Sequence, residues 1–187
     1  MILGAVIAGG RSTRFGSDKA LALIGGERLI DRTIAALDPQ VDRLVVCGRE
    51  WPDCLSLADR PQAGLGPLGG LAAALRYARL CGFAKLLSVP VDALAIPHDL
   101  FAILAGPGPA VFADQHLVGL WPSALSPLLD AHLGTGQRSV RSWLDACSAR
   151  RLAEPCPIGN INRPADLPAN GQRRPTIDWC ADRLTGA

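Results

Sequence analysis

Strong charge, paired cysteine motifs and long apolar runs are all absent from this sequence of 187 residues. A formal net charge of +2 is too small to indicate a nucleic-acid partner. The six cysteines form no Cys-x-x-Cys pair, and no histidine lies at zinc-finger spacing from them, which argues against a structural zinc site. No segment approaches the ~20 apolar residues that a membrane helix needs, so we expect no membrane association. What remains is a folded globular protein, because 49% of the residues are apolar and only 19% are charged.

The start of the chain lacks the features of a signal peptide. The apolar run from Ile2 to Ala8 has no basic segment before it and continues directly into Gly9-Gly10-Arg11. We therefore interpret this run as a first β-strand and expect a cytoplasmic protein. The cysteines are then expected to be reduced and mostly buried rather than joined in a disulfide framework.

Strand-like and helix-like segments alternate along most of the chain. Short apolar runs predict strands at Ile2–Ile7, Leu44–Cys47, Cys54–Ala58, Lys85–Val89, Ala110–Phe112, Leu117–Leu120 and Arg151–Glu154. Helical spacing and composition predict helices at residues 29–37, 68–80, 99–104, 126–133 and 139–146. This alternation indicates βαβ units and a mainly parallel sheet. We expect a single domain over residues 1–170, ending in a short helix near Pro164–Leu167, and a flexible tail over 171–187.

The loop after the first strand is rich in glycine and positive charge. It runs from Ala8 to Lys19 with the sequence AGGRSTRFGSDK. Two adjacent glycines allow backbone N–H groups to approach an anion, and the cationic side chains that follow suit a triphosphate. The loop matches neither the Walker pattern nor Gly-x-Gly-x-x-Gly, which weakens a nicotinamide-binding interpretation. From residue types alone, the alternative is an ordinary glycine-rich turn with solvated charges.

Two segments in the middle of the chain combine aspartate or glycine with the ends of predicted elements. Asp59 follows an apolar run and precedes Arg60-Pro61, where a turn residue is the simplest interpretation. Residues Gly64 to Leu71 lead into a helix, with Pro67 near its first turn. Such glycines let a ligand approach the backbone at the positive end of the helix dipole, although a plain loop explains the composition equally well.

A carboxylate emerges at the end of the fourth predicted strand. Asp92 lies in the segment Val89 to Pro97, directly after a hydrophobic run and between prolines. Magnesium in nucleotide sites takes one or two carboxylates together with phosphate oxygens and waters, so one strand-end aspartate meets its need. Taken alone, such an aspartate is more often a turn or capping residue.

Two later segments carry weaker signals. Gly119-Leu120-Trp121-Pro122 could line a binding site, but packing is the simpler role for the tryptophan. Further on, alternation places Asn160 and Asn162 on one face of an extended segment, where they could contact a metal or a phosphate. Helix capping, with Asp166 near a first turn, is the alternative.

Together these segments resemble the nucleoside-triphosphate transferases, and most of all the molybdenum cofactor guanylyltransferase family. The resemblance spans Ile2 to about Leu167 and rests on four motifs in the family's order, namely the Ala8–Lys19 loop, the Gly-Pro-Leu-x-Gly string at Gly66, the turn at Asp92 and the Asn-x-Asn string at Asn160. The departures from the family pattern are Phe15 in place of Met, Arg163 in place of Thr, and Ala93-Leu94 in place of a second proline. The resemblance implies a Rossmann-like three-layer α/β/α nucleotidyltransferase fold with a mainly parallel mixed sheet.

The resemblance also implies roles for individual residues. The implied nucleotide-binding residues are Ile7, Ala8, Gly9, Gly10, Lys19, Asp59, Gly66 and Asp92. Arg14 and Lys19 are the implied phosphate clamps and, with Asp92 as the metal ligand, the implied catalytic residues. Gly69, Asn160 and Asn162 are expected on the side of the acceptor substrate.

The implied reaction is transfer of GMP from GTP to the terminal phosphate of molybdopterin, with Mg²⁺ as cofactor and pyrophosphate as the leaving group. Guanine is favoured over cytosine because the first loop begins Ala-Gly-Gly and the late string carries Asn rather than Asp. The alternatives are a relative that uses CTP or another phosphorylated acceptor, and a nucleotide-binding regulator without turnover. We expect a monomer, with molybdoenzyme chaperones or cofactor-delivery proteins as its protein partners.

Overall fold

The computed structural model of the chain describes residues 1–9 and 18–161. In chain order its strands are β1 (Ile2–Ile7), β2 (Leu23–Ile24), β3 (Glu27–Arg28), β4 (Arg43–Cys47), β5 (Leu55–Leu57), β6 (Lys85–Pro90), β7 (Ala110–Phe112), β8 (Gly119–Pro122) and β9 (Arg150–Leu152). Strands β2 and β3 pair as a small hairpin, and the others form one sheet in the order β5-β4-β1-β6-β8-β7-β9. Within that sheet β8 runs antiparallel to both of its neighbours, whereas the other pairs are parallel. The predicted mainly parallel mixed sheet is confirmed.

Helices cover both faces of this sheet. They are α1 (Leu29–Leu37), α2 (Pro67–Leu80), α3 (Leu100–Leu104), α4 (Ser126–Gly134) and α5 (Val140–Ala146). Buried side chains of α2, α4 and α5 share one core cluster, while those of α1 and α3 belong to a second cluster. The two clusters lie on opposite faces of the sheet, which confirms the three-layer α/β/α architecture.

Strand β1 is apolar at every position because helices cover both faces of the sheet there. Leu3, Ala5 and Ile7 belong to the core cluster shared with α2, whereas Val6 belongs to the cluster shared with α1. Successive side chains of a strand point to opposite faces, so a central strand that is covered on both faces has no solvated position. A side chain on Gly4 would meet Val41, since an added Cβ would lie 2.8 Å from Val41 Cγ2.

The boundaries of the predicted strands and helices that the structure describes agree with it to within two residues, and one hairpin was missed. The β2–β3 hairpin was not predicted; its signal was the dipeptide Gly25-Gly26, whose positive φ values of 60° and 87° form the turn. Strand β8 begins at Gly119, two residues later than predicted, and the Leu117 carbonyl before it accepts a hydrogen bond from the Ser88 side chain. The predicted final helix near 164 and the tail over 171–187 lie outside the described residues.

Trp121 is a packing residue. Its side chain is fully buried and donates its Nε1–H to Ser88 Oγ at 2.8 Å, and its ring is tilted by 31° against that of Trp143 with the ring centroids 6.4 Å apart. Of the cysteines, Cys47 and Cys147 are buried free thiols, whereas Cys81 is exposed. Across the described residues, no helix is both long and apolar enough to cross a membrane.

Candidate functional site

The carboxyl ends of three parallel strands meet at one edge of the sheet. In the strand register, the last residue of β1, Ile7, lies beside Cys47 of β4 on one side and Pro90 of β6 on the other. Strand β1 lies between β4 and β6, so the order of the strands changes direction at β1. In an open α/β sheet such a change of direction creates a crevice at the carboxyl ends of the strands. The described residues that directly follow Ile7, Cys47 and Pro90 therefore converge there, and they include the predicted site residues Ala8, Gly9 and Asp92.

Lys19 and Asp92 are in direct contact at this edge. Lys19 Nζ lies 2.6 Å from Asp92 Oδ2, and the two side chains are 13% and 23% exposed. Both side chains are therefore mostly shielded from solvent but still accessible to a ligand, so the pair lies in the crevice and not on the outer surface. The sequence motifs lie 73 residues apart, so the fold alone brings this cation and carboxylate together.

The backbone holds each member of the pair in place. Lys19 opens a 3-10 turn over Lys19–Leu21, and Asp18 caps this turn by accepting a hydrogen bond from Ala20 N at 3.2 Å. Asp18 also forms an ion pair with Arg49, from the loop after β4. On the other side, Val91 N donates to the Ile7 carbonyl at 3.1 Å, which ties the turn of Asp92 to the end of β1.

A cluster of glycines surrounds Asp59, and we name Gly9, Gly48, Gly69 and Gly70 with Asp59 the glycine cradle. A Cβ added to Gly48 would lie 2.3 Å from Gly9 Cα, and the φ of Gly48 is +85°. A Cβ added to Gly69 would lie 3.0 Å from both Cβ and Cγ of Asp59. The backbone thus approaches itself and Asp59 so closely that no side chain fits between, and only glycine satisfies both the space and the conformation.

The carboxyl of Asp59 carries an unmet hydrogen-bonding capacity. Its Oδ1 is buried and has no hydrogen-bond partner among the residues that the structure describes. Burial raises the pKa of the Asp59 carboxyl above its usual value, and the backbone N–H of Gly64 opposes that rise only in part. A buried acceptor without a partner is costly, so this oxygen is suited to receive an N–H or O–H donor from a ligand.

A second group of residues, which we name the amide arm, consists of Gln115 and Asn160 beside the turn of Asp92. Asn160 pairs with Ala93 as an isolated antiparallel bridge, and Ile161 N donates to the Asp92 carbonyl at 3.4 Å. The side-chain Nδ2 of Asn160 donates to Gln115 Oε1 at 2.9 Å. The segment that carries Asn160 is therefore hydrogen-bonded to the turn that contains Asp92.

The remaining predicted residues are distributed around these features. Ile7 and Ala8 lie at the end of β1, and Gly66 occupies the position before α2 with a φ of +67°. Gly69 lies against Asp59 in the glycine cradle, and its expected place on the acceptor side stays a prediction. Gly10, Arg14 and Asn162 lie outside the described residues, so their roles stay predictions.

Sequence reasoning missed Gly48, Arg49 and Gln115. Gly48 and Arg49 follow directly after β4, and this position at the end of a parallel strand was the available signal. Gln115 lies in the turn between β7 and β8, among residues with no motif, and only its tertiary pairing with Asn160 identifies it.

The donor set of the site suits a cation that is shared with phosphates. No cluster of three or more His, Cys, Asp or Glu side chains that could hold a metal occurs within residues 1–9 and 18–161. Asp92 supplies one carboxylate, and a nucleotide-bound Mg²⁺ needs only one or two, because phosphate oxygens and waters complete its shell. The residues thus fit a substrate-bridged divalent ion and do not fit a metal site built from protein ligands alone.

Comparison with known proteins agrees with this geometry. A family model described as the MobA-like NTP transferase domain matches residues 4–152. The chain is 37% identical over 179 residues to the molybdenum cofactor guanylyltransferase of Acidiphilium cryptum (strain JF-5), covering 88% of this chain and 91% of that relative. It is 33% identical to the molybdenum cofactor guanylyltransferase of Rhodobacter capsulatus, covering 89% and 93% of the two chains.

Among solved structures, the molybdopterin-guanine dinucleotide biosynthesis protein A of Archaeoglobus fulgidus matches with a TM-score of 0.69 at 18% identity, covering 89% of this chain and 95% of that one. At this low identity the structural match supports the fold alone. The family-model match spans most of the chain, and the curated relatives are covered over nearly their whole length. This chain therefore belongs to the MobA-like NTP transferase domain family.

Proposed function

We propose that this protein transfers GMP from GTP to the terminal phosphate of molybdopterin, releasing pyrophosphate and forming a guanine dinucleotide. The curated relatives reported above are named molybdenum cofactor guanylyltransferases, and these names support the transfer of GMP. The observation that carries the proposal is the contact between Lys19 and Asp92 at 2.6 Å, at the edge where the strand-end loops converge. The presence of a cation and a carboxylate side by side at this edge supports the proposal that a triphosphate and a second phosphate meet there.

The chemistry needs no nucleophilic side chain. An oxygen of the acceptor's phosphate monoester, already ionised near neutral pH, attacks the α-phosphorus of GTP. As that bond forms, the bond from the α-phosphorus to the bridging oxygen breaks, and the electron pair leaves with pyrophosphate. The protein's contribution is positioning and neutralisation of charge.

Lys19 and Asp92 have complementary roles in this reaction. The ammonium of Lys19 stabilises negative charge on the phosphates and on the departing pyrophosphate. Asp92, with phosphate oxygens of the substrate, would hold Mg²⁺, which when bound neutralises phosphate charge. The contact of 2.6 Å between Lys19 Nζ and Asp92 Oδ2 orients each side chain toward the other. Arg14, predicted to clamp phosphates, belongs to the same proposal.

The glycine cradle is proposed to bind the nucleoside part of GTP. Oδ1 of Asp59, which has no hydrogen-bond partner within residues 1–9 and 18–161, is a hydrogen-bond acceptor, and guanine and ribose both offer N–H or O–H donors. The glycines around it let a flat base or a sugar lie close to the backbone. Ile7, Ala8 and Gly9 border this region from the end of β1.

A thermal-shift panel with GTP, CTP, ATP and UTP, each with Mg²⁺, tests the nucleotide, since specific binding raises the apparent stability. We expect a clear rise in Tm with GTP and little change with the other three. Pyrophosphate release from GTP, Mg²⁺ and molybdopterin then tests turnover. A rise with CTP alone would identify a cytidylyl transferase, and a rise with GTP without pyrophosphate release would identify a regulator. The monomeric state, the cytoplasmic location and the delivery-protein partners stay predictions.

A further inference from the structure

Asn160 has one end of its side-chain amide occupied and the other end unmet. Its Nδ2 donates to Gln115 Oε1 at 2.9 Å. Its Oδ1 is buried and has no hydrogen-bond partner in the part of the chain that the structure describes. Because an amide carries its donor and its acceptor on diverging bonds, occupation of Nδ2 by Gln115 turns Oδ1 away from Gln115. The unmet group is therefore an acceptor.

Backbone hydrogen bonds connect the segment that carries Asn160 to the turn of Asp92. Leu94 N donates to the carbonyls of Ile158 and Gly159, each at 3.2 Å, and Ala93 bridges Asn160 itself. The turn of Asp92 and the segment 158–161 thus form one hydrogen-bonded unit. Displacement of Asn160 relative to Asp92 would break several backbone hydrogen bonds.

Gln115 is itself firmly held. Its backbone N–H donates to the Phe112 carbonyl at 3.3 Å, and its carbonyl accepts from Val118 N at 2.9 Å, which closes the turn between β7 and β8. Within the same turn, the Leu117 carbonyl accepts from Ser88 Oγ at 2.7 Å. Ser88 lies in β6, two residues before its end, so the turn is anchored to the strand that leads to Asp92.

We propose that Gln115 is a positioning residue that sets the orientation of the Asn160 amide, so that Asn160 presents a carbonyl oxygen to a hydrogen-bond donor of the acceptor substrate. This inference rests on the proposed function, in which Asn160 contacts the acceptor. It specifies the direction of the hydrogen bond between Asn160 and the substrate. The Asn160 Oδ1 accepts an N–H or O–H from the substrate, while the Asn160 Nδ2 donates to Gln115 within the protein. Gln115 does not touch the substrate in this arrangement and acts only through Asn160.

The decisive variants are Gln115→Ala and Gln115→Glu. The Ala variant removes the oxygen that holds Nδ2, and we expect the KM for the acceptor to rise about fivefold to tenfold, the effect of one ordinary hydrogen bond, with little change in kcat. The Glu variant keeps an acceptor oxygen at the same reach, so it should retain a KM near that of the unmodified protein. Asp114→Ala, an exposed neighbour in the same turn, is the control for turn geometry and should change neither constant.

Two further measurements separate this inference from the proposed function. The Tm rise with GTP and Mg²⁺ should be equal in all these variants, because Gln115 does not contact the nucleotide. The Asn160 side-chain amide protons, assigned in an ¹⁵N spectrum by their loss in Asn160→Asp, should shift in Gln115→Ala and stay in place in Gln115→Glu. This spectroscopic test does not require turnover.

The inference is overturned if Gln115→Glu is as impaired as Gln115→Ala, because the donor end of Gln115 would then be the group in use. It is also overturned if Asn160→Ala raises the KM for the acceptor and Gln115→Ala does not, a result that leaves the proposed function intact. Absence of pyrophosphate release from the unmodified protein would instead reject the proposed function. In that case an Asn160 amide signal that does not respond to Gln115→Ala would reject the positioning contact as well.

Discussion

The glycine cradle and the amide arm are built by different means. In the glycine cradle, backbone approaches backbone so closely that a Cβ on Gly48 would lie 2.3 Å from Gly9 Cα. In the amide arm, a single side-chain hydrogen bond of 2.9 Å orients the functional group. The cradle therefore depends on the absence of side chains at its glycines. The arm depends on a hydrogen-bond acceptor, Oε1, on the Gln115 side chain. We expect Gly48 of the cradle to tolerate almost no substitution, and we expect position 115 of the amide arm to accept a residue that keeps the oxygen.

The largest effect is expected at the Lys19–Asp92 pair. Lys19→Ala and Asp92→Ala should each lower the rate of pyrophosphate release by at least a hundredfold, because loss of one preorganised electrostatic contact typically costs about 3 kcal/mol in the transition state. Steady-state kinetics with GTP, Mg²⁺ and molybdopterin measure this.

The matched control is Arg151→Ala, which breaks an ion pair with Asp145 on the exposed surface. It should leave the rate unchanged and the stability within about 1 kcal/mol. Near-normal turnover of a folded Lys19→Ala or Asp92→Ala protein would refute the proposed mechanism.

Gly48→Ala tests whether close approach, rather than backbone conformation alone, defines the cradle. Gly136 has nearly the same φ, +83° against +85° for Gly48, but an added Cβ there meets nothing within 4 Å among the described residues. Gly136→Ala should therefore cost only the left-handed conformation, about 1–2 kcal/mol. Gly48→Ala should cost about 1–3 kcal/mol more, because a Cβ must displace Gly9.

Urea unfolding of both glycine variants gives the two costs, and the Tm rise with GTP and Mg²⁺ gives the effect on the site. We expect Gly136→Ala to keep that rise and Gly48→Ala to lose most of it. Equal destabilisation in the two variants would show that the cradle is not sterically closed.

Asp59→Asn separates ligand binding from stability inside the cradle. Burial raises the pKa of Asp59, so the folded state binds a proton more tightly than the unfolded state does. The free energy of unfolding contributed by this group must then fall as pH rises from the usual aspartate pKa through the raised one. The asparagine variant carries no such charge, so it should be more stable than the unmodified protein near neutral pH and lose this advantage in acid.

The same variant should bind GTP more weakly, because a neutral amide oxygen is a poorer acceptor than a carboxylate. Urea unfolding at neutral and acidic pH, paired with GTP titration, measures both effects. An Asn variant that is less stable at neutral pH would mean that Asp59 holds the cradle together rather than receiving a ligand.

The smallest effect concerns thiol reactivity. Burial, and next to it the charge of Asp59, raises the pKa of the Cys47 thiol to about 12, so almost none of it is thiolate at neutral pH. Cys81 is exposed at the end of α2. Iodoacetamide followed by peptide mapping should label Cys81 within the native protein and leave Cys47 unlabelled, and labelling of Cys81 should not alter the Tm rise with GTP. Rapid labelling of Cys47 would show that the cradle opens in solution.

Much of the fold could be predicted because its elements have strong local signals. The β1 sequence is apolar throughout and marks a strand covered on both faces, and α2 is framed by Pro67 and Gly82, the latter with a φ of +77°. The β2–β3 hairpin was not predicted because strands of two residues are too short to show the alternation of apolar and polar residues. Loops after strands could be selected as functional since parallel strands share a carboxyl edge.

The sequence by itself determined the alternation of strands and helices, the three-layer fold, the family resemblance and the candidate loops around Lys19 and Asp92, because these depend on local periodicity and on short motifs. Only the tertiary structure decided that Gly48 faces Gly9, that Gly69 lies against Asp59 and that Gln115 holds Asn160. These contacts join residues far apart in the chain, and neither a close backbone approach nor the orientation of an amide leaves a trace in the spacing of residues along the sequence.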